Sequence, residues 1–275
     1  MGGGKATLQQ MLRDYVTYLK EEGVQEVPKG RVARKAQVAA PAPTPAPATM
    51  PAPTTAPKPR VAQAPGPVAP PQPSPQVVRT EVSATAAPGE TLESIAAEVR
   101  ACHACELCQG RHHAVPGEGN GNQPDIMFVG EGPGADEDAQ GRPFVGRSGQ
   151  LLNKMIKAMG YEREQVFIGN IVKCRPPGNR TPYPGEMAWC MPYLLRQITL
   201  VRPKCIVCLG KTAMVGLLGI TGPMSEGRGR WHQFQGIPVA VTYHPAYLLR
   251  DPRQKAACWH DLQAVMAFLR QGPGA

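Results

Sequence analysis

Apolar residues cluster in short blocks over the last two thirds of the chain, and the blocks switch between two periods. Asp125–Gly130 (DIMFVG), Gln165–Val172 (QVFIGNIV), Lys204–Leu209 (KCIVCL) and Ile237–Thr242 (IPVAVT) are brief apolar runs, most of them flanked by glycine, proline or polar residues. Each predicts a buried strand. Between and around them, Thr91–Arg100, Gln150–Met159, Gly185–Thr199, Lys211–Leu218 and Arg253–Arg270 predict helices. Strands alternating with helices predict an α/β domain over residues 90–275. Its architecture is three-layer α/β/α, with a central, mostly parallel sheet covered on both faces. Ligands of such sheets meet the loops at the carboxyl ends of the strands, and the most unusual loops of this chain follow strands.

The first third has a different pattern. Over residues 7–22, within a region taken as 1–29, Leu8, Met11, Leu12, Tyr15, Val16 and Leu19 share one face of a helix. That helix either packs on its own domain or docks on a protein partner. Residues 30–89 hold no such periodicity. Pro41–Pro75 contains 14 prolines interleaved with alanine, threonine and glutamine. This composition buries too little apolar surface to offset ordering entropy and predicts a disordered tether.

Composition narrows the function classes. The formal net charge is +9, which favours an anionic partner, nucleic acid first. No apolar run reaches the ~18 residues that a membrane helix needs. The N-terminus MGGGKATLQQ lacks the apolar core of a secretion signal, so a cytoplasmic protein, expected to be monomeric, is the reading. In a reducing compartment, eight cysteines suit metal binding, catalysis or burial rather than disulfides.

Cys102-x2-Cys105 forms one candidate ligand pair, and Cys174 with Cys190 a second. Thiolates suit zinc and iron–sulfur clusters alike, and spacing does not separate them. Cys108 extends the first pair and competes with Cys102. Cys205 and Cys208 lie in a strand, where a period of two sends them to opposite faces and into the core. Cys258 is expected in the core or at the surface. His103, His112 and His113 are expected to be solvated. Gly130-x-Gly132-x-x-Ala135 imitates a dinucleotide loop. However, Pro133 removes an amide donor, and Asp136-Glu137-Asp138 would repel a pyrophosphate. The glycines instead let backbone approach a flat ligand such as a base.

Four segments, with the cysteines, resemble the iron–sulfur uracil-DNA glycosylases of the thermophile type, family 4. They are Gly130–Asp138 (GEGPGADED), Gly141–Gly146 (GRPFVG) with Ser148–Leu152, Asn170–Pro177 (NIVKCRPP) with Asn179-Arg180, and His244–Arg250 (HPAYLLR). The likeness spans about residues 95–270. It implies a uracil-DNA glycosylase-like fold and a structural [4Fe–4S] cluster, away from the base pocket, on Cys102, Cys105, Cys174 and Cys190. Cys108 is then not a ligand. The chain lacks the basic, histidine-containing insertion of the covalently trapping relatives, so ordinary turnover is expected.

The resemblance implies uracil-containing DNA, single- or double-stranded, as partner and an abasic site as product. Uracil must leave the stack, at a cost of a few kcal/mol. Phe144 is expected to stack on it, and the Asn170 amide to read its N3–H and O4 edge. Backbone around Gly132, with Glu131 in the pocket wall, completes the base site. His244 is expected to hydrogen-bond uracil O2 as negative charge develops there. Gly132 stands where classical uracil glycosylases carry an aspartate, so Glu137 or Asn179, or Glu131 if it does not serve the pocket wall, is expected to position the water. No nucleophilic lysine lies in these motifs, which predicts a monofunctional enzyme. Leu249 and Arg250 suit a wedge and cation entering the gap in the DNA, with one of Leu248 and Leu249 in the core. The contrasting readings are a non-catalytic iron–sulfur DNA-binding or polymerase accessory module, and a zinc-stabilised nucleotide hydrolase.

Overall fold

The computed structural model describes residues 86–271. The helix expected over residues 7–22, and the tether expected over residues 30–89 apart from its last four residues, lie outside the described part. In chain order the elements are α1 (Leu92–Ala101), α2 (Leu107–Gly110), β1 (Glu118–Gly119), β2 (Ile126–Gly130), α3 (Ala135–Gln140), α4 (Arg147–Ala158), β3 (Phe167–Asn170), α5 (Pro184–Val201), β4 (Cys205–Leu209), α6 (Lys211–Leu218), α7 (Met224–Gly227), β5 (His232–Phe234), β6 (Ile237–Thr242), α8 (Pro245–Arg250) and α9 (Lys255–Gln271). Single 3-10 turns occupy Arg163–Gln165, Pro177–Asn179 and Pro252–Gln254.

The strands form one sheet in the order β1-β3-β2-β4-β6-β5. The four inner strands run parallel, with Gly130 opposite Asn170 and Leu209 opposite Thr242. Both edge strands are antiparallel. Every residue of β2, β3 and β4 is buried, the pattern of a sheet covered on both faces. One face packs Met127, Val129, Ile206 and Cys208 under α1, α5 and α6; the other packs Phe128, Ile168, Val207 and Cys205 under α4 and α9. Cys205 and Cys208 are thus core residues of opposite faces, as period-two geometry requires, and Cys258 is buried as well. The connection from β2 runs to β3 on one side, whereas the connection from its other neighbour, β4, runs to β6 in the opposite direction. The carboxyl end of β2 is therefore a topological switch point, where a crevice opens.

Local sequence accounts for the element ends. Thr91 caps α1: its Oγ1 accepts from the Ser94 amide at 3.1 Å while its own amide donates to Ser94 Oγ at 3.1 Å. Ile95 and Val99, one turn apart, are that helix's buried residues. β3 stops at Asn170, two residues before the sequence pattern suggests. Ile171 and Val172 leave the ladder but stay apolar and buried, because their amides turn back onto the carbonyls of Gly130 and Glu131 at 2.9 and 3.1 Å. Cys174 lies in the loop beyond the strand. The closing helix starts at Lys255, after a 3-10 turn opened by Pro252. β1 and β5, two and three residues long, are too short to show a period.

Candidate active site and cysteine corner

The carboxyl ends of the four parallel strands border a cleft of about 930 Å³. It draws Glu131, Gly132, Glu137, Phe144, Asn170, Asn179, His244 and Arg250 from four sequence segments into one space. The Asn170 side chain is buried, and neither its Oδ1 nor its Nδ2 has a hydrogen-bond partner. A buried amide left unpaired costs about 1–3 kcal/mol per group, so it marks where a polar ligand belongs. Gly130 makes room for it: a Cβ there would lie 2.5 Å from Asn170 Oδ1 and 2.6 Å from the Phe144 ring. Phe144 itself has φ +51°, an uncommon conformation for a bulky side chain.

His244 follows β6 and caps α8. Its Nδ1 accepts from the Ala246 amide at 3.1 Å, which places the ring proton on Nε2. Burial, and then the Arg250 charge, push its pKa down to about 4. The imidazole is therefore a neutral donor at physiological pH. Its ring centroid lies 5.5 Å from that of Phe144. Gly210, at φ +89°, permits this packing, since a Cβ there would come within 2.9 Å of His244 Cβ. Further along α8, Leu248 is 2% exposed and Leu249 37%, so the first is core and the second is presented to solvent beside exposed Arg250.

The acidic run is committed to local structure. Glu137 Oε1 accepts from the amides of Val145 and Gly146 at 2.9 and 3.0 Å, and Oε2 from Gly134 at 3.0 Å. Asp138 accepts from the His112 amide at 2.9 Å and pairs with its ring at 2.7 Å. His112, expected to be solvated, thus has an exposed ring anchored on a buried carboxylate. The Asn179 side chain accepts from Arg175 Nε at 2.7 Å on the 3-10 turn after the cysteine loop. Glu131 accepts from Thr212, and burial raises its pKa.

A second polar site lies on the α1–α5 side of the sheet. Cys102, Cys105, Cys174 and Cys190 line one small space with Arg111, Lys173 and Tyr193. Cys108 lines it too. Burial pushes the Cys105 thiol up to about 12 and raises those of Cys174 and Cys190. Sulfur acceptors are nonetheless provided with donors: Lys173 N to Cys190 at 3.1 Å, Arg111 Nη1 to Cys174 at 3.0 Å and Ala104 N to Cys102 at 3.5 Å. Such donors favour thiolates, and four thiols lining one space, Cys174 and Cys190 buried and Cys102 and Cys105 half-buried, are by their chemistry a donor set that suits a soft metal centre. Between corner and cleft, buried Lys173 donates from Nζ to the Asn170 carbonyl at 3.0 Å and to Gln197 Oε1 at 2.7 Å.

Several cleft residues escape sequence reasoning. Lys211 and Thr212 open α6 at the carboxyl end of β4 and line the cleft. The strand–glycine–helix junction at Gly210 is the signal that could have found them. Tyr243, directly before His244, also lines the cleft, and Arg228 stacks 3.9 Å from its ring centroid. Nothing in the local sequence marks that stacking.

Comparison with known proteins agrees with this geometry. The family model of the uracil DNA glycosylase superfamily matches residues 116–263. The chain is 45% identical over 185 residues to a type-4 uracil-DNA glycosylase of Sulfurisphaera tokodaii, covering 64% of this chain and 84% of that one. It is 42% identical to type-4 enzymes of Saccharolobus solfataricus and Thermotoga maritima, covering 67% and 66% of this chain and 89% and 96% of theirs. With its switch-point cleft and its four-cysteine corner, the chain belongs to the uracil DNA glycosylase superfamily, in the type-4 group.

Proposed function

We propose that the protein excises uracil from DNA by hydrolysing the N-glycosidic bond, leaving an abasic site for base excision repair. The observation that carries this reading is the unpaired Asn170 amide. It offers one donor and one acceptor, the complement of the uracil N3–H and O4 edge. Cytosine reverses that polarity and would leave the same atoms unsatisfied, which discriminates strongly.

In this mechanism Phe144 lies against the extruded ring, and Gly132 lets the backbone come close to it, with Glu131 in the wall. His244 donates from Nε2 to O2 as the C1′–N1 bond lengthens and charge moves onto the base. A neutral, fixed donor aimed at developing charge lowers the barrier without reorganising. Glu137 serves by holding the loop that carries Phe144, its oxygens being taken by three amides. Asn179 is left as the side chain to hold the incoming water. Leu249 and Arg250 sit where a wedge and a phosphate-binding cation would meet the strand. Cys102, Cys105, Cys174 and Cys190 would hold a [4Fe–4S] cluster, which would tie the end of α1, the loop after β3 and α5 together.

The test is alkaline cleavage of a labelled strand carrying one uracil, with a thymine strand and H244A alongside. Scission only after alkali and only at uracil, slower by about 10²–10³-fold in H244A, is the expected result. A folded, iron-loaded protein that leaves no abasic site overturns the reading.

A further inference from the structure

We infer that Arg163, which lies outside the cleft, is a positioning residue that sets the pose of Phe144. The inference rests on the stacking role given to Phe144 above. Arg163 opens the 3-10 turn before β3, and its side chain is only 14% exposed. Its guanidinium donates to two successive carbonyls of the Phe144 loop: Nη2 to Pro143 O at 2.5 Å and Nη1 to Phe144 O at 3.2 Å. Its other bonds hold the fork itself: Nη1 to Asn153 Oδ1 at 2.7 Å, and Nε and Nη2 to Glu118 Oε1 at 2.9 and 2.6 Å.

The loop needs such a hold. Phe144 sits at φ +51°, a conformation that L side chains leave when nothing imposes it. Three further contacts act on the same loop. Glu137 binds the next two amides, at Val145 and Gly146. Gly149 of α4 lets the helix press on the loop, since a Cβ there would lie 1.8 Å from Phe144 O. Gly130 leaves the space that the ring fills. Glu137 therefore grips the loop after Phe144, and Arg163 grips it at and before Phe144. Releasing the Arg163 side lets the backbone relax to negative φ and swings the ring off the base. Two carbonyls and a carboxylate met by one planar fork cannot be matched by a lysine, a single point donor.

Four variants test this: R163M, R163K, F144A and the double variant R163M/F144A. E118Q serves as a control, because it neutralises the ion pair while keeping an acceptor for the fork. The readouts are kcat and KM on a single-uracil strand and the inhibition constant of free uracil. We expect R163M and R163K to lower kcat/KM by about tenfold, the scale of a lost base stack, and to weaken inhibition by uracil similarly. E118Q should stay within about twofold of the parent. R163M should add nothing once Phe144 is gone, the mark of two residues acting as one. An impaired F144A to which R163M adds its full loss overturns the Arg163 inference alone. An F144A with unchanged kinetics overturns the stacking role, and the inference with it.

Discussion

The cleft and the cysteine corner belong to the same sheet but treat buried polarity in opposite ways. At the corner, sulfurs receive N–H donors, and the Lys173 ammonium has two oxygen partners. In the cleft, the Asn170 amide is buried with both ends unbonded, and Phe144 is held at positive φ. The unpaired amide costs about 1–3 kcal/mol per group, and the phenylalanine conformation about 1–3 kcal/mol. The corner gives its buried polar groups partners, whereas the cleft departs from what stability alone would select. A residue whose environment opposes folding is a better guide to chemistry than one that is merely buried.

The comparison breaks first at the cysteines. If the four cysteines hold the proposed cluster, C174A and C190A should carry less iron than the parent and melt about 10 °C or more lower, because the free energy of holding a metal centre is folding free energy. C108A should keep its iron. Iron content by absorbance and a thermal melt measure this. Molecules of C174A that remain folded should excise uracil at nearly the parent kcat. A variant that kept its melting temperature and lost excision would move chemistry to the corner.

Asn170 makes the opposite prediction. N170A should lower kcat/KM for uracil by about 10²-fold or more, since the pocket loses its readout of the base edge. The same change removes two unsatisfied buried atoms. The melting temperature should therefore hold or rise by a few degrees. Single-turnover excision and calorimetry on one preparation check both halves. A large loss of stability in N170A would mean that the amide supports the fold, and the contrast between the two regions would close.

The sequence made much of this legible because the signals are local. Apolar runs such as DIMFVG and KCIVCL needed no tertiary information to be strands, and β2 and β4 match them to within one residue. Asn170, His244 and Phe144 stand in motifs whose glycines and prolines already imply tight backbone. What stayed hidden depends on distant partners. Glu137 reads as a free carboxylate until Val145 and Gly146 fold over it. Arg163 lies 19 residues from Phe144, in a turn with no motif of its own. Thr212 reaches Glu131 across 81 residues. Spacing likewise offers Cys108 as readily as Cys102, and both line the corner.

The finest test of the cleft is a pH profile. With its pKa held near 4 by burial and then by Arg250, His244 stays neutral well below the ordinary histidine value of about 6.5. Excision should therefore be flat from about pH 8 to pH 5 as far as this group is concerned, with the acid limb near pH 4. Stability carries the matching sign. Between the folded and unfolded pKa values the unfolded chain binds the extra proton, so folding is disfavoured as pH falls through that window. The contribution is intact above about pH 6.5 and is lost progressively towards pH 4. H244Q, with no titrating ring, should show a flatter melting temperature over the same window. An acid limb centred near pH 6.5 in the parent would show an imidazole that charges in the free cleft despite its burial, whereas a limb on the basic side, with activity falling as pH rises, would make an imidazolium the donor at the uracil O2.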